Sequence, residues 1–165
     1  MGYPIRCARS LMKSAVKRLF PSFGCEAHLL YLLEKMRRAQ KRGWKRAANI
    51  VRNRILIKHA CDISESAQIG SGLRLPHPVG IVIGEGTQIG KCVTIYHQVT
   101  IGRKRKDVAE YPIIGDYAVI YCGALIVGKI KIGDHSIVQA HSVVDQDVPA
   151  CSIYCANGAI KPVRR

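Results

Sequence analysis

The sequence predicts a mainly β protein, in which a parallel β-helix follows a short α-helical region. Aliphatic side chains recur at every sixth residue through the last two thirds of the chain, a period that fits neither a helix nor a hairpin. The first third has helical spacing of three and four residues instead. The charge divides at the same point: residues 1–60 hold 15 Lys and Arg against two acids, whereas residues 61–165 hold 11 against nine.

Residues 1–60 form the predicted basic helical N-terminal region. Within residues 1–20, apolar residues fall on one side of a helix and lysines and arginines on the other. A Pro- and Gly-containing break at 21–24 separates this segment from two further apolar stripes, the last of which runs from Trp44 to Ile55.

From residue 61 each hexad predicts one short strand and a corner, and three hexads close one coil of about 18 residues. Glycines that follow several of the aliphatic residues are expected to permit the tight corners. We therefore predict a β-helix over 61–148 and a C-terminal tail over 149–165. Ile or Val occupies ten positions in strict register: 83, 89, 95, 101, 114, 120, 126, 132, 138 and 144.

The six-residue period slips at two places. Eight residues instead of six separate Leu75 from Ile83, which predicts a bulge that contains residues 78–80. A longer slip after Ile101 predicts an extruded loop over 103–112. Loops that leave a regular solenoid commonly carry its function, so we expect the site near these two slips.

Counting three strands per coil places two histidines at one edge of the β-helix. His77 and His97 take equivalent positions in successive coils, with Cys122 in the next, and Asp62 approaches the bulge just after His77. Histidine suits a general base near neutral pH, and a carboxylate can orient its ring. The alternatives are a solvated strand residue for His77 and an ordinary corner residue for Asp62.

Seven cysteines indicate reduced thiols in a cytoplasmic protein. Their number is odd, and neither a CxxC pair nor a pair of histidines at zinc spacing occurs, so neither a disulfide framework nor a metal site is expected. Each cysteine fits a small core residue. No transmembrane segment or secretory signal is expected, because no apolar stretch approaches 18 residues and basic residues interrupt the N-terminus.

The pattern HxxGIVIG, from His77 to Gly84, stands within residues 61–85 and is followed by hexads over 93–102. In these residues the chain resembles the serine acetyltransferase family of hexapeptide-repeat O-acetyltransferases. It also resembles the short, colanic acid acetyltransferase-like members of surface-polysaccharide clusters. The resemblance covers about residues 45–150. It implies a left-handed β-helix, acetyl-CoA as the donor, and a homotrimer with active sites between subunits.

The resemblance also implies roles for single residues. His77 is the general base, and Asp62 is its acidic partner or a substrate ligand, in a direct transfer without an acyl-enzyme. Substrate contacts are implied for His97, Glu110 and Tyr111. The positions implied to touch CoA, mostly through their backbone, are Gly102, Arg103, Cys122 and Ala140.

Departures from the serine acetyltransferase pattern favour a sugar hydroxyl as the acceptor. Pro76 replaces an acid before the histidine, and the helical region is short. Glu110 and Tyr111 replace an Arg-His pair that would suit the carboxylate of serine, and both can hydrogen-bond a sugar. We expect an acetyl-CoA-dependent O-acetyltransferase of a surface-polysaccharide sugar. The alternatives are serine O-acetyltransferase and a non-catalytic β-helix scaffold.

The basic segments leave two interpretations each. Residues 1–20 fit peripheral contact with an anionic membrane on its inner face, or packing on a neighbouring subunit. The basic run at 103–106 fits contact with CoA phosphates or a solvated loop tip. Nucleic acid is not expected as a partner, because the charge comes without an element that would read base edges.

Overall fold

A computed structural model describes residues 24–105, 107 and 109–163, in which two helices lead into a stack of short strands. The predicted helical segment over 1–20 lies outside the described residues. None of the described helices is both long and apolar enough to cross a membrane. The elements are α1 Cys25–Lys41, α2 Lys45–His59, β1 Asp62–Ile63, β2 Gln68–Ile69, β3 Val82–Ile83, β4 Gln88–Ile89, β5 Thr94–Ile95, β6 Thr100–Gly102, β7 Ile113–Ile114, β8 Val119–Ile120, β9 Leu125–Val127, β10 Lys131–Ile132, β11 Ile137–Val138, β12 Val143–Val144, β13 Ser152–Tyr154 and β14 Ile160–Pro162.

The two helices form a hairpin that packs through the apolar stripes read from the sequence. Leu29 and Leu32 of α1 are buried together with Ala48 and Ile55 of α2. Gly43 adopts a φ of +73° in the turn between the helices, a conformation that glycine reaches without a steric penalty. Helix α2 then contacts β1, so the hairpin sits against the first coil.

The strands form three sheets, one for each side of the coil. Sheet A contains β1, β3, β6, β9 and β12; sheet B contains β2, β4, β7 and β10; sheet C contains β5, β8, β11, β13 and β14. Among the described strands, every pair except β13–β14 is parallel, and Ile83, Ile101 and Ile126 lie in register in sheet A. All ten predicted aliphatic positions are buried. The prediction of one parallel strand per hexad is therefore confirmed.

The segment 149–165, predicted as a tail, contains two further strands. Strand β13 pairs in parallel with β11 and extends sheet C, and β14 folds back onto β13 in the antiparallel sense. The buried Tyr154 pairs with Val138 and so continues the inward-facing column of that sheet. The coil therefore extends about one strand beyond residue 148.

The glycines act differently from the expectation. The corners are turned by residues with positive φ that stand three positions after an inward aliphatic residue, among them Cys92, Gln98 and Tyr117. Gly70 and Gly90 instead lie where adjacent coils touch. A Cβ on Gly70 would fall well inside contact distance of the Gly90 carbonyl oxygen. These glycines therefore permit close stacking of coils rather than the turn itself.

Candidate active site

The first candidate region is the corner at which sheet C leads into sheet A, here called the His77 corner (residues 76–80, 96–98, 121–123 and 139–141). Three backbone hydrogen bonds join its coils: Gln98 N–H to Val79 O at 2.8 Å, Gly123 N–H to His97 O at 3.1 Å, and His141 N–H to Cys122 O at 2.9 Å. Cys122 therefore follows His97 as predicted, but Val79 rather than His77 lies opposite His97. Before the bulge, Arg74 pairs with Thr94, as the count predicts. The bulge takes its two extra residues before the turn at Gly80, so the register is displaced by two residues after it. The predicted stack of the two imidazoles is not among the described ring contacts.

His77 stands on this bulge with its side chain exposed. Its φ is +54°, and its carbonyl accepts a hydrogen bond from the Val79 N–H at 2.8 Å. Pro76 and Pro78 flank it, and each proline ring restricts its own φ to about −65°. Pro78 is buried, and its carbonyl accepts a 3.4 Å hydrogen bond from the Cys61 thiol. The backbone that carries the imidazole is thus rigid, while the ring itself is open to a ligand.

His97, Cys122 and Ala140 line the same corner in successive coils and are all half-buried. The His97 Nδ1 atom is buried and has no hydrogen-bond partner in the described structure. A buried ring nitrogen without a partner loses the hydrogen bonds that water would supply, so this atom is available to a bound ligand. Beside the corner, the rings of Tyr96 and Tyr121 stack with centroids 5.1 Å apart. This pair was not predicted from the sequence, although Tyr96 directly precedes His97 and Tyr121 directly precedes Cys122.

Asp62 begins β1 and lies below the bulge, as predicted. The neighbouring Ala60 carbonyl accepts a 3.0 Å hydrogen bond from the Gly80 N–H. The Asp62 carboxylate, however, is held by Arg52 of α2, whose Nε and Nη2 atoms lie 2.9 and 2.8 Å from the same oxygen, Oδ1. Among the described contacts Asp62 makes no hydrogen bond to His77, and its second oxygen has no partner. The predicted acid is therefore oriented by a helix residue that the sequence analysis did not identify.

Arg52 joins two carboxylates and thereby ties α2 to the first coil. Its Nη1 atom lies 3.2 Å from Oε2 of Glu65. Burial acts to lower the pKa of Arg52, but the hydrogen bonds and charges of Asp62 and Glu65 outweigh it, so the pKa is raised. The Arg52 guanidinium is therefore charged at any working pH.

The second candidate region is the corner between sheet A and sheet B, here called the loop corner (Gly84, Glu85 and residues 102–105 and 109–112). Arg103 Nη2 lies 3.1 Å from Oε1 of Glu85, and the Tyr111 hydroxyl donates a 3.4 Å hydrogen bond to the same atom. Glu110 is exposed. A cleft of about 260 Å³ opens here, and Arg52, Ser64, Gly84, Glu85, Arg103 and Tyr111 line it.

The loop corner brings Arg103 and Tyr111 together through Glu85, which the sequence analysis did not identify. Gly102 faces open space, since a Cβ built on it would meet no atom within 4 Å. The three basic side chains of the loop that the structure describes are all paired with acids: Arg103 with Glu85, Lys104 with Asp145 at 3.3 Å, and Arg105 with Asp107 at 2.9 Å. Lys106 of the predicted basic run lies outside the described residues. The predicted basic run is therefore partly neutralised within the chain.

Eight of the nine predicted site residues thus fall into two groups on opposite edges of sheet A, and the ninth, Asp62, lies in strand β1 of that sheet. His77, His97, Cys122 and Ala140 belong to the His77 corner, and Gly102, Arg103, Glu110 and Tyr111 to the loop corner. The chain advances by four residues from Gln98 at one corner to Gly102 at the other, which corresponds to about 13 Å at about 3.3 Å per residue. One chain does not assemble both groups around a single reacting atom.

The chain is similar in sequence and in fold to known proteins. A family model described as bacterial transferase hexapeptide (six repeats) matches residues 111–146. Serine acetyltransferase 4 of Arabidopsis thaliana is 40% identical over 120 residues, which cover 72% of this chain and 34% of that protein. The structure of Neisseria gonorrhoeae serine acetyltransferase matches with 35% identity and a TM-score of 0.76, and the match covers 84% of this chain and 54% of that one.

A serine acetyltransferase structure in complex with CoA matches at 29% identity and a TM-score of 0.71, over 76% of this chain and 52% of that one. The chain thus spans between about a third and just over half of the length of these relatives. In sequence and in fold it is similar to serine acetyltransferases, and it carries the bacterial transferase hexapeptide repeat.

Proposed function

We propose that this chain is an acetyl-CoA-dependent O-acetyltransferase with His77 as its general base. The observation that carries the proposal is the exposed His77, held between two prolines on the bulge of a fold similar to serine acetyltransferases. The left-handed sense of the β-helix belongs to the same proposal. The hexapeptide match and the positive φ values at the corners support it.

Acetyl-CoA would supply the activated acetyl thioester. His77 accepts the proton of the acceptor hydroxyl as its oxygen forms a bond to the acetyl carbon. When the carbon–sulfur bond breaks, the imidazolium returns that proton to the departing sulfur, so the histidine leaves the cycle unchanged. Asp62 uses the oxygen that Arg52 leaves unpaired to orient the imidazole or the acceptor. Cys122 takes no part as a nucleophile.

The residues proposed to hold CoA fit a long, narrow ligand. Gly102 faces open space, and Cys122 and Ala140 present small, half-buried side chains along the His77 corner. Arg103, although paired with Glu85, borders the cleft and offers a cation to a phosphate. No metal is part of the proposal.

Serine is the first candidate acceptor, because the relatives reported above are named serine acetyltransferases. A hydroxyl of a surface-polysaccharide sugar is the second candidate. A specific observation favours it: the loop corner presents Glu85, Glu110 and Tyr111, and its cation Arg103 is already paired with Glu85. Carboxylates and a phenolic hydroxyl can both hydrogen-bond sugar hydroxyls, whereas the carboxylates of Glu85 and Glu110 would repel the carboxylate of serine. Closeness to the colanic acid acetyltransferase-like enzymes belongs to this second candidate.

A homotrimer would bring the two groups of site residues together. In a ring of identical subunits the contact is heterologous, so the loop corner of one chain faces the His77 corner of the next. The separation of the two corners within one chain supports this arrangement. A cytoplasmic location with peripheral membrane contact through residues 1–20 also remains a proposal, and those residues lie outside the described structure.

The first test measures acetyl transfer by the release of free CoA thiol, with serine and with a panel of hexoses and amino sugars as acceptors. Replacement of His77 with alanine should lower kcat/KM by about 10²–10⁴-fold for the true acceptor. His135→Ala, which removes an exposed histidine at another corner, is the matched control and should keep full activity. Unchanged transfer by His77→Ala would remove the general base from the proposal, and no transfer to any acceptor would leave a scaffold role.

A second test asks whether each site is shared between chains. His77→Ala and the double variant Arg103→Ala/Tyr111→Ala should each be nearly inactive alone. Co-expressed in equal amounts, they should regain on the order of a quarter of the wild-type rate, because random mixing restores some contacts with two intact halves. Mixed oligomers as inactive as their parents would place both halves within one chain and contradict the shared site.

A further inference from the structure

Helix α2 carries apolar side chains on both of its faces. Ala48 and Ile55 are buried against α1 and the first coil. On the opposite side, Ile50 and Ile57 are 63% and 83% exposed. They stand seven residues apart and so share one face of the helix. The hairpin thus leaves a second apolar stripe uncovered.

Basic residues surround this stripe. Arg46 and Arg54 lie on the same outward side of α2 as Ile50 and Ile57, and we call these four residues the outer face of α2. At the adjoining turn, Trp44 is 58% exposed, and the Arg42 guanidinium lies 5.2 Å from the centre of its ring. The surface therefore combines cations with isoleucine and tryptophan side chains.

Most of the positive charge of the hairpin has no acidic partner. Residues 24–60 hold ten Lys and Arg against two acids. Glu34 pairs with Arg37 and Arg38, and Arg52 pairs with Asp62 and Glu65. Among the described contacts, no acid pairs with the remaining seven: Lys35, Lys41, Arg42, Lys45, Arg46, Arg54 and Lys58.

We propose that the outer face of α2 and the turn at Trp44 dock on the surface of an anionic lipid bilayer. A helix with exposed apolar and basic residues can lie in the headgroup region, where acyl chains cover the isoleucines and lipid phosphates pair with the arginines. Tryptophan favours the same interfacial depth. This interaction goes beyond acetyl transfer and does not depend on it.

The chemistry of the surface favours a membrane over two other occupants. A nucleic acid would use the cations but would leave Ile50 and Ile57 in water. A second copy of this hairpin could cover the isoleucines, but it would bring a surface of equal positive charge against the first. An anionic bilayer satisfies both features. Docking also leaves the buried face of α2 on α1 and β1 undisturbed.

The test is co-sedimentation of the full chain with vesicles of phosphatidylcholine alone and with about a quarter phosphatidylglycerol. Binding to the anionic vesicles should be at least about tenfold stronger than to the neutral ones, since each surface cation adds to the attraction. Ile50→Ser/Ile57→Ser and Arg46→Gln/Arg54→Gln should each weaken it by about tenfold. Added salt should reduce the binding of the isoleucine variant most completely, because only its electrostatic attraction remains.

Two matched variants keep the test specific. Ile113→Ser/Ile160→Ser removes two exposed isoleucines from β7 and β14, and Lys129→Gln/Lys161→Gln removes two exposed cations from the β-helix region. Both should bind vesicles like the wild type. Equal binding to neutral and anionic vesicles, or isoleucine variants that bind normally, would overturn the proposal. So would an Ile50→Ser/Ile57→Ser chain that binds vesicles normally but dissociates in light scattering, which would assign the outer face of α2 to a second copy.

Discussion

The β-helix and the helical hairpin bury apolar surface in different ways. In the β-helix each hexad buries one aliphatic side chain at the same inward position, and each strand forms backbone hydrogen bonds to the equivalent strand of the next coil. Residues 61–165 carry 11 basic and nine acidic side chains, so this part is almost neutral. The hairpin packs helix against helix and onto the first coil, and it has a strong excess of positive charge and exposed isoleucines on its outer side.

This difference indicates where each region is sensitive. Coils of the β-helix approach each other so closely that backbone meets backbone, so added volume between them should be costly. The hairpin instead contains a pair of titratable rings, of which one is buried: His28 Nδ1 and His59 Nε2 lie 2.8 Å apart, and His59 is 6% exposed while His28 is half-buried. Steric change should therefore break the β-helix, whereas a change of protonation should weaken the hairpin.

The larger effect is expected from Gly90→Ala in the β-helix. A Cβ at this position would fall against the Asp116 backbone nitrogen at 2.8 Å and the Gly115 carbonyl carbon at 2.8 Å, both in the next coil. Since backbone atoms cannot move aside as side chains do, we expect a loss of about 1–3 kcal/mol in the free energy of unfolding. Denaturant unfolding followed by circular dichroism measures it.

Gly102→Ala is the matched control, because a Cβ at Gly102 would meet no atom within 4 Å. Its free energy of unfolding should stay within about 0.5 kcal/mol of the wild type. Equal losses in Gly90→Ala and Gly102→Ala would mean that stacking of the coils is not what requires glycine at position 90.

Much of the β-helix could be predicted from the sequence because its spacing is local and repeated. One aliphatic residue per hexad placed all ten inward positions correctly, and the slip after Leu75 located the bulge. The conformation inside the bulge could not be predicted in the same way. Whether the two extra residues come before or after the turn depends on which N–H groups bond to the next coil. In this structure they come before it, so Val79 lies opposite His97.

A periodic sequence pattern also does not predict contacts between side chains of different elements. The partner of Asp62 is Arg52, which depends on how α2 packs against β1. Glu85 joins Arg103 and Tyr111 because these two residues, which are separated in sequence by the extruded loop, both lie at the cleft beside it. The role of the glycines was misassigned for a similar reason. The spacing shows only where a glycine stands within its own coil. Glycine is needed at position 70 because the Gly90 carbonyl of the next coil leaves no room for a Cβ.

The smaller effect is expected from pH, and it concerns the hairpin. Burial, with the neighbouring charges of His28 and Lys58, lowers the pKa of His59 below its ordinary value. The unfolded chain therefore binds more protons than the folded one once the pH falls below about 6.5, where an unfolded histidine titrates. Unfolding then takes up protons. The contribution of the neutral His59 to the free energy of unfolding is therefore complete above this pH, and the free energy of unfolding falls as the pH is lowered below it.

Thermal unfolding followed by the helical circular dichroism signal near pH 7.5 and near pH 5.5 measures this change. The wild type should melt at a lower temperature at the lower pH, and His59→Gln should lose most of the difference because it removes the buried titrating ring. His135→Gln, whose exposed ring stacks on Tyr117, should keep it. A His59→Gln chain that keeps the full wild-type pH dependence would show that His59 does not make the hairpin more sensitive to pH than the β-helix. The two regions would then differ only in net charge and in exposed apolar surface.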